Sequence, residues 1–194
     1  MTTTPMTTTP MTTTPMTTTI VFDLDGTLAD SSPCIVGAAH HVSGKLGLEQ
    51  AEDSAIRQRI GEPLGPMLAA LYGIRGELLE KAVREYSTAY VALAPRLERL
   101  FEGSLPLVRR LREAGFQLAI ATGKSQRGAE NASARLGLAP LFDSIHGIVP
   151  GTPGKPDPAV LRRAMAALGA DPHECVMVGD TTFDLDLAHA LGVR

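Results

Sequence analysis

The stretch IVFDLDGTLADSS, residues 20–32, is the part of the sequence that decides the fold. Residues 20–22 are an apolar run without polar alternation, which is typical of a parallel β-strand covered on both faces. Asp23 and Asp25 follow at once. Because residues two apart in an extended chain point to the same side, we expect both carboxylates to project from the carboxyl end of this strand. Ligands bind at that end of open parallel sheets.

Three later apolar runs resemble this strand, and segments of helical periodicity separate them. The predicted strands cover residues 118–121, 145–149 and 176–178. The predicted helices cover residues 105–113, 125–136, 158–168 and 183–191. Strands that alternate with helices imply crossover connections and a parallel sheet. The sequence therefore predicts the α/β class.

One long segment interrupts this alternation. Residues 31–100 contain no strand-like run, and their apolar residues recur at helical spacing. A crossover connection needs far fewer residues than this segment has. We therefore expect residues 31–100 to form a helical cap, inserted into a core of residues 20–30 and 101–194. The two linkers are expected near residues 29–32 and 100–103.

The two ends of the chain are unusual. Residues 1–19 repeat the pentapeptide MTTTP three times and continue with MTTT, and this low-complexity composition predicts a disordered leader without a function of its own. A glycosylated or adhesive stalk is the alternative for that leader. At the other end, the sequence stops at Arg194, where a helix should lead into another strand. We therefore expect an edge strand to be missing and the strand at residues 176–178 to keep an unpaired edge.

Composition narrows the classes of function. The chain of 194 residues is 44% hydrophobic and 20% charged, which fits a globular protein. A net charge of −3 provides no basic surface for nucleic acid or anionic membranes. Two cysteines are too few for a disulfide framework or a zinc motif, and they favour a reducing, cytoplasmic environment. No apolar run approaches the roughly 20 residues that span a bilayer.

The carboxylate pair at Asp23 and Asp25 suggests phosphoryl chemistry. Two such groups repel each other unless a cation lies between them or one of them holds a proton. Both solutions suit this chemistry, because a carboxylate bound to Mg²⁺ can act as a nucleophile and a protonated neighbour can donate to the leaving oxygen. The alternative is a pair of aspartates that merely cap or turn the chain.

Three further motifs come after later strands. Thr122 and Gly123 precede a helix and could bind phosphate at its N-terminus, although Thr-Gly is also an ordinary turn. Lys155 lies in the loop GKPDP, where a lone lysine is commonly a solvated charge. Asp180 and Asp184 lie in GDTTFD and could ligate a divalent cation or cap the helix that starts there. Their positions at successive strand ends favour one shared site.

Four motifs occur in this order, DLDGTL, ATGK, GKPDP and GDTTFD, and a helical insertion follows the first of them. With these features the sequence resembles the haloacid dehalogenase superfamily with a helical cap. The resemblance covers residues 20–194 and is to the branch that includes phosphoglycolate phosphatases. It implies a Rossmann-like parallel core, a Mg²⁺ cofactor and hydrolysis of a small phosphomonoester through an aspartyl-phosphate. The implied partner is a small phosphorylated metabolite, bound by a monomer or a homodimer.

The same resemblance implies a role for each motif residue. Asp23 would be the nucleophile, and Asp25 the general acid and then the general base. Magnesium would be held by Asp23, Asp180 and the backbone carbonyl of Asp25, with support from Asp184. The transferring phosphoryl group would be held by Thr122, Gly123 and Lys155.

The cap loop RIGEPL, residues 59–64, resembles the substrate-specificity loop of such caps. Its candidate residues are Arg59, Gly61 and Glu62. Arg59 could meet an anionic substrate, or it could be a solvated helix-end arginine. Asp25 favours phosphate esters over haloacids, because dehalogenation has no leaving oxygen to protonate. Two alternatives stay open: a phosphomutase with the same core, and a truncated domain that binds without catalysis.

Overall fold

The computed structural model describes residues 16–194. Most of the predicted disordered leader, residues 1–15, lies outside the described residues. The predicted boundary at residue 19 is wrong, because Thr19 is the buried first residue of the first strand. Its hydroxyl donates to Gln117 Oε1 at 3.2 Å. An apolar pattern does not predict that a strand begins at a threonine, although β-branched side chains are common in strands.

Four strands form the central sheet and two short strands form a separate pair. The strands of the described part of the chain are β1 (Thr19–Phe22), β2 (Ala29–Asp30), β3 (Arg99–Leu100), β4 (Gln117–Ser125), β5 (Ser144–Ile148) and β6 (Cys175–Val178). The central sheet has the order β5-β4-β1-β6, and each neighbouring pair is parallel. This confirms the predicted α/β class with a parallel sheet. Because β1 lies inside the sheet, its carboxyl end is flanked by those of β4 and β6.

Among residues 16–194, four of the eight α-helices lie between β2 and β3, and the other four follow β3. The helices are α1 (Ser32–Leu46), α2 (Asp53–Arg57), α3 (Leu64–Tyr72), α4 (Gly76–Leu97), α5 (Ser104–Glu113), α6 (Gln126–Arg135), α7 (Ala159–Leu168) and α8 (Thr182–His189). Helices α5 to α8 connect or flank the strands of the central sheet. The chain between β1 and β4 therefore carries the predicted helical insertion.

Both faces of the sheet are covered by apolar side chains. Val21 belongs to a cluster with Leu161 and Leu187, whereas Phe22 belongs to a different cluster with Val108. This explains why the first strand reads as a continuous apolar run, since alternate residues enter two different cores. Each fully buried side chain of this size contributes on the order of 2 kcal/mol.

The helices α1 to α4 have an apolar cluster of their own. It is formed by twelve buried residues, among them Val42, Ile56, Leu68 and Tyr86. A separate cluster is what an inserted domain requires, and it supports our proposal that residues 31–100 form a cap. The predicted linkers lie side by side, because β2 and β3 pair antiparallel with Ala29 opposite Leu100.

The outer edge of β6 is partly covered. The Met177 N–H donates to the Arg194 carbonyl at 2.7 Å, and the Arg194 N–H donates to the Cys175 carbonyl at 3.4 Å. This is the bonding pattern of a parallel ladder, so the predicted edge is not wholly unpaired.

Cys34 and Cys175 are both free and buried. Among residues 16–194, no helix combines the length and the hydropathy needed to cross a membrane.

Candidate active site

Asp23 lies at the carboxyl end of β1, in the middle of the sheet edge. Its N–H donates to the Val178 carbonyl of β6 at 2.9 Å, which fixes the backbone there. The residue is 2% exposed. The Lys155 ammonium lies 3.0 Å from Asp23 Oδ1 and 2.5 Å from Asp184 Oδ1. Lys155 is therefore a buried cation between two carboxylates, and the alternative of a solvated surface lysine is wrong.

Three carboxylates meet at this point. Asp23, Asp180 and Asp184 each offer an oxygen, and these oxygens lie within 4.8 Å of one another. Carboxylate oxygens are the ligands that Mg²⁺ prefers, and three of them beside one lysine leave an excess of negative charge. The cluster therefore fits a divalent cation. The Asp25 side chain is not a member of it, and the resemblance assigns Asp25 to the metal through its backbone carbonyl alone.

Asp184 has two functions at once. Its Oδ2 accepts from the N–H and the hydroxyl of Thr181, at 3.2 and 2.9 Å, and so completes a capping box at the start of α8. Its Oδ1 accepts from Lys155. The two interpretations of Asp184, helix cap and member of a metal cluster, are therefore compatible, because different oxygens serve each one.

The turn after Asp25 is packed against Asp180. Gly26 has φ +80°, and a Cβ on it would come within 2.1 Å of Asp180 Oδ2. Thr27 donates from its hydroxyl to Asp180 Oδ1 at 3.1 Å. Only glycine accommodates both this backbone conformation and this close approach. The Gly-Thr of the motif thus positions Asp180.

Burial and mutual repulsion shift the pKa values of these groups. Burial, reinforced by Asp184 and Asp25 and opposed by Lys155, raises the pKa of Asp23 to about 6. Burial alone would lower the pKa of Lys155, but the carboxylates of Asp23 and Asp184 outweigh it and raise that pKa. Burial also raises the pKa of Asp180, against the hydrogen bond from Thr27. A cation among these carboxylates would favour their ionised forms.

Asp25 faces a different set of side chains. The Lys124 ammonium lies 2.9 Å from Asp25 Oδ1, and both side chains are largely buried, at 11% and 12% exposure. Lys124 also donates to the Tyr90 hydroxyl at 2.7 Å. Tyr90 in turn donates to Glu98, whose other oxygen pairs with Arg135. The acid–base candidate is therefore linked to the end of helix α4.

Thr122 and Gly123 lie near the carboxyl end of β4. This strand extends to Ser125, beyond the predicted strand of residues 118–121. Thr122 is buried, and its hydroxyl accepts from the Lys124 N–H at 3.4 Å. A Cβ on Gly123 would lie 3.2 Å from the Gly61 carbonyl. The structure thus places both residues at the carboxyl edge of the sheet, under the predicted specificity loop.

The cap loop 59–64 closes over this edge at three points. Gly61 approaches Gly123 and also lies against Thr181. A Cβ added to Gly154 would lie 2.5 Å from Pro63, so these two residues are in close contact as well. Arg59 does not share this placement, because it donates to Glu62 at 2.9 Å and lines a separate cleft with Glu49 and Leu71. The predicted contact of Arg59 and Glu62 with substrate therefore stays a prediction.

A cleft of about 290 Å³ opens between the cap helices and the core beside Asp180. Its lining includes Gly26, Ser32, Arg57 and Phe101. Arg57 donates to the Ser32 hydroxyl and pairs with Asp53 at 3.6 Å. Its charge faces a cleft that touches the carboxylate cluster.

Sequence reasoning missed several residues of the site. Lys124 is part of the motif ATGK, but the sequence predicts no role for it, and Arg57 belongs to none of the four motifs. Tyr90 fits the apolar stripe of its helix, and Glu98 looks like an ordinary charge at a helix end. Only Lys124 carried a usable signal, its position beside Thr122 and Gly123 at the end of a strand.

Comparison with known proteins defines the class to which this fold and site belong. The family model for haloacid dehalogenase-like hydrolases matches residues 20–194. The chain belongs to the haloacid dehalogenase-like hydrolase family. A solved structure of a hydrolase of this family from Streptococcus pneumoniae superimposes with a TM-score of 0.82 and 30% identity, covering 92% of this chain and 82% of that one.

Two curated relatives have more specific names. Tyrosine-protein kinase PtkA of Mycobacterium tuberculosis is 37% identical over 176 residues, which are 90% of this chain and 59% of that protein. The chain thus spans about three fifths of the length of PtkA. Phosphoglycolate phosphatase of Mesorhizobium japonicum is 30% identical over 179 residues, covering 90% of this chain and 79% of that protein.

Proposed function

We propose that the protein is a Mg²⁺-dependent phosphatase that hydrolyses a small phosphomonoester through an aspartyl-phosphate on Asp23. The observation that carries this proposal is the cluster of Asp23, Asp180 and Asp184 at the carboxyl edge of a parallel sheet, with Lys155 paired to Asp23 and Asp184. Phosphoryl transfer needs an aligned nucleophile and neutralisation of the phosphoryl oxygens. A bound Mg²⁺ would supply that neutralisation together with the lysine.

The two carboxylates of the motif divide the reaction between them. In the first step an Asp23 oxygen bonds to phosphorus, the bond from phosphorus to the leaving oxygen breaks, and Asp25 gives its proton to that oxygen. In the second step the ionised Asp25 takes a proton from water, the water oxygen bonds to phosphorus, and Asp23 is released with inorganic phosphate. Thr122, Gly123 and Lys155 hold the phosphoryl group during both steps.

The cap supports a small substrate. The loop 59–64 contacts the core at Gly123, Gly154 and Thr181, which leaves little room above the carboxylates. The adjoining cleft has a volume of about 290 Å³ and presents Arg57. A short phosphate ester with a second anionic group, such as phosphoglycolate, matches that size and charge. The named phosphatase from Mesorhizobium japonicum supports the same choice.

The similarity to PtkA favours a second candidate, transfer of a phosphoryl group to a tyrosine hydroxyl in place of water. The chemistry at Asp23 would be the same, and the acceptor would differ. A tyrosine of another protein could reach Asp23 only after the loop 59–64 had left Gly123 and Gly154. The seating of this loop therefore favours the phosphatase.

A phosphoester panel tests the proposal. Phosphate release is measured with Mg²⁺ from phosphoglycolate, other short alkyl phosphates and p-nitrophenyl phosphate, and transfer from ATP to a tyrosine peptide is measured alongside. We expect release from at least one ester, which EDTA and Asp23→Asn abolish. The exposed Asp186→Asn on α8 is the matched control and keeps activity. Equal rates for the protein and Asp23→Asn would overturn the proposal, and transfer to the peptide alone would support the second candidate.

A further inference from the structure

We propose that Tyr90 and Glu98 are positioning residues that hold Lys124 against Asp25, so that the placement of Asp25 depends on how helix α4 is seated. The inference rests on the proposed function, because it concerns the residue that protonates the leaving oxygen there. It assigns no chemical step to Tyr90, Glu98 or Lys124. These side chains set where the Asp25 carboxyl group lies.

Lys124 is held from two directions. Its ammonium donates to the Tyr90 hydroxyl at 2.7 Å and lies 4.3 Å from the centre of the Tyr90 ring, so the ring face and the hydroxyl both bind the cation. On the other side the ammonium lies 2.9 Å from Asp25 Oδ1. A lysine side chain is a flexible stem with many rotamers. Tyr90 selects the one that reaches Asp25.

Glu98 completes the arrangement from the end of α4. Its side chain is fully buried and lies 3.6 Å from the Lys124 ammonium. It accepts from the Tyr90 hydroxyl at 2.5 Å, and its second oxygen pairs with Arg135 of α6. Charges therefore alternate from Asp25 through Lys124 and Glu98 to Arg135. A buried carboxylate is stable only with such partners, so Glu98 has one well-defined position.

The position of Glu98 in the chain links this network to the cap. Glu98 directly follows α4 and directly precedes β3, which pairs with β2 where the chain enters and leaves the helical segment. Any rotation of the cap about this strand pair would move Tyr90 and Glu98 together. Lys124 belongs to the core and would then lose both partners. The Lys124–Asp25 contact is therefore formed fully only when α4 is seated as in this structure.

The hydroxyl of Tyr90 keeps its proton in this setting. Burial, with the nearby Asp25 and Cys34, raises the pKa of Tyr90 above its ordinary value. The Cys34 thiol, which donates to the Tyr90 carbonyl at 3.6 Å, further fixes this part of α4 against α1.

The test compares two substrates that differ in their need for a proton donor. The ratio kcat/KM reports phosphoryl transfer to Asp23 and is measured for p-nitrophenyl phosphate, whose leaving group departs without protonation, and for the best alkyl phosphate of the panel. We expect Tyr90→Phe and Glu98→Gln to lower kcat/KM for the alkyl ester by about tenfold and for the aryl ester by less than about twofold. A residue that merely stabilises the fold would lower both alike.

Tyr86→Phe is the matched control. Tyr86 lies one turn earlier on α4 and stacks on Tyr90 with ring centres 6.0 Å apart, but among the described residues it has no hydrogen bond to Lys124. Tyr86→Phe should leave kcat/KM unchanged for both the alkyl and the aryl ester. Equal losses on the two substrates, or a Tyr90→Phe protein that matches Tyr86→Phe, would overturn the inference while the phosphatase stands. A protein inactive on every ester overturns the proposed function and this inference with it. If Glu98→Gln does not fold, Tyr90→Phe decides.

Discussion

Asp23 and Asp25 stand two residues apart, yet different parts of the molecule surround them. Asp23 lies beside Lys155, Asp180 and Asp184, which come from two loops and the first turn of α8 at the carboxyl edge of the central sheet. The contact of Asp25 is with Lys124, which the end of α4 holds in place. The core alone builds the first environment, whereas the second needs the helical segment as well. The proposed nucleophile is thus fixed independently of the cap, and the proposed acid is not.

The turn after β1 explains why Asp23 and Asp25 contact different side chains. The rule that residues two apart share a side holds within a strand, and β1 ends at Phe22. At Gly26 the chain has φ +80°, and Asp25 forms an isolated bridge with Ala29. Asp25 therefore belongs to the turn into the helical segment, while Asp23 still belongs to the sheet.

The largest expected difference between the two environments is in stability. Lys155→Met leaves two buried carboxylates without their cation, and we expect it to lower the free energy of unfolding by about 3–5 kcal/mol without Mg²⁺. Lys124→Met should cost only about 1–2 kcal/mol, because Glu98 keeps Tyr90 and Arg135 as partners. Urea unfolding measures both. The exposed Lys81→Met is the control and should stay within about 0.5 kcal/mol of the unsubstituted protein.

Mg²⁺ should restore part of the stability lost in Lys155→Met, since it would supply positive charge to the same carboxylates. The stability that Lys124→Met loses relative to the unsubstituted protein should stay the same with and without Mg²⁺, because both proteins keep the same carboxylate cluster and gain equally from the ion. A larger loss of stability for Lys124→Met than for Lys155→Met would contradict the division between the two environments.

A smaller effect is expected from the turn that packs on Asp180. The Cβ of Gly26→Ala would displace the Asp180 carboxylate, and we expect affinity for Mg²⁺ to fall by about tenfold or more. Calorimetric titration with Mg²⁺ measures it. Gly115→Ala is the control, because Gly115 has φ +89° with no atom within 4 Å of the added Cβ, so it has the same strain without the collision. Equal affinities in the two variants would show that Asp180 is not a ligand.

The smallest effect is a dependence of Mg²⁺ binding on pH. With its pKa raised to about 6, Asp23 is ionised above that value and protonated below it. A cation binds the ionised carboxylate, so protons compete with it, and affinity should fall by about tenfold between pH 7 and pH 5. Calorimetry in buffers of different ionisation enthalpy also detects the released proton. A constant affinity across this range would place the cation away from Asp23.

The sequence predicts the environment of Asp23 far better than that of Asp25. Asp23, Lys155, Asp180 and Asp184 each follow a strand, and the ends of parallel strands must meet, so local patterns are enough to place them together. Tyr90 and Glu98 lie in a helical segment whose docking depends on tertiary packing. Helical spacing says which residues share a face, but it does not say which core residue that face will meet.

Apolar patterns in the sequence also do not predict where β1 begins or where β4 ends. Thr19 continues β1 because its hydroxyl finds a partner in Gln117, which no hydropathy pattern reveals. The carboxyl end of β4 extends beyond its apolar run to Ser125, so Thr122 and Gly123 belong to the strand and not to a loop after it. Thr19 is held by a side-chain hydrogen bond, and β4 continues past an irregularity after Ala121 to pair Ser125 with Ile148.

The division of roles between Asp23 and Asp25 has a direct test in the mass of the protein during turnover of p-nitrophenyl phosphate with Mg²⁺. Asp25→Asn should accumulate one covalent phosphoryl group, because the good leaving group departs without an acid while water lacks its base. Asp23→Asn should show no adduct. Peptide mapping should place the adduct of Asp25→Asn on Asp23. An adduct on any other residue, or an adduct that persists in Asp23→Asn, would contradict the account.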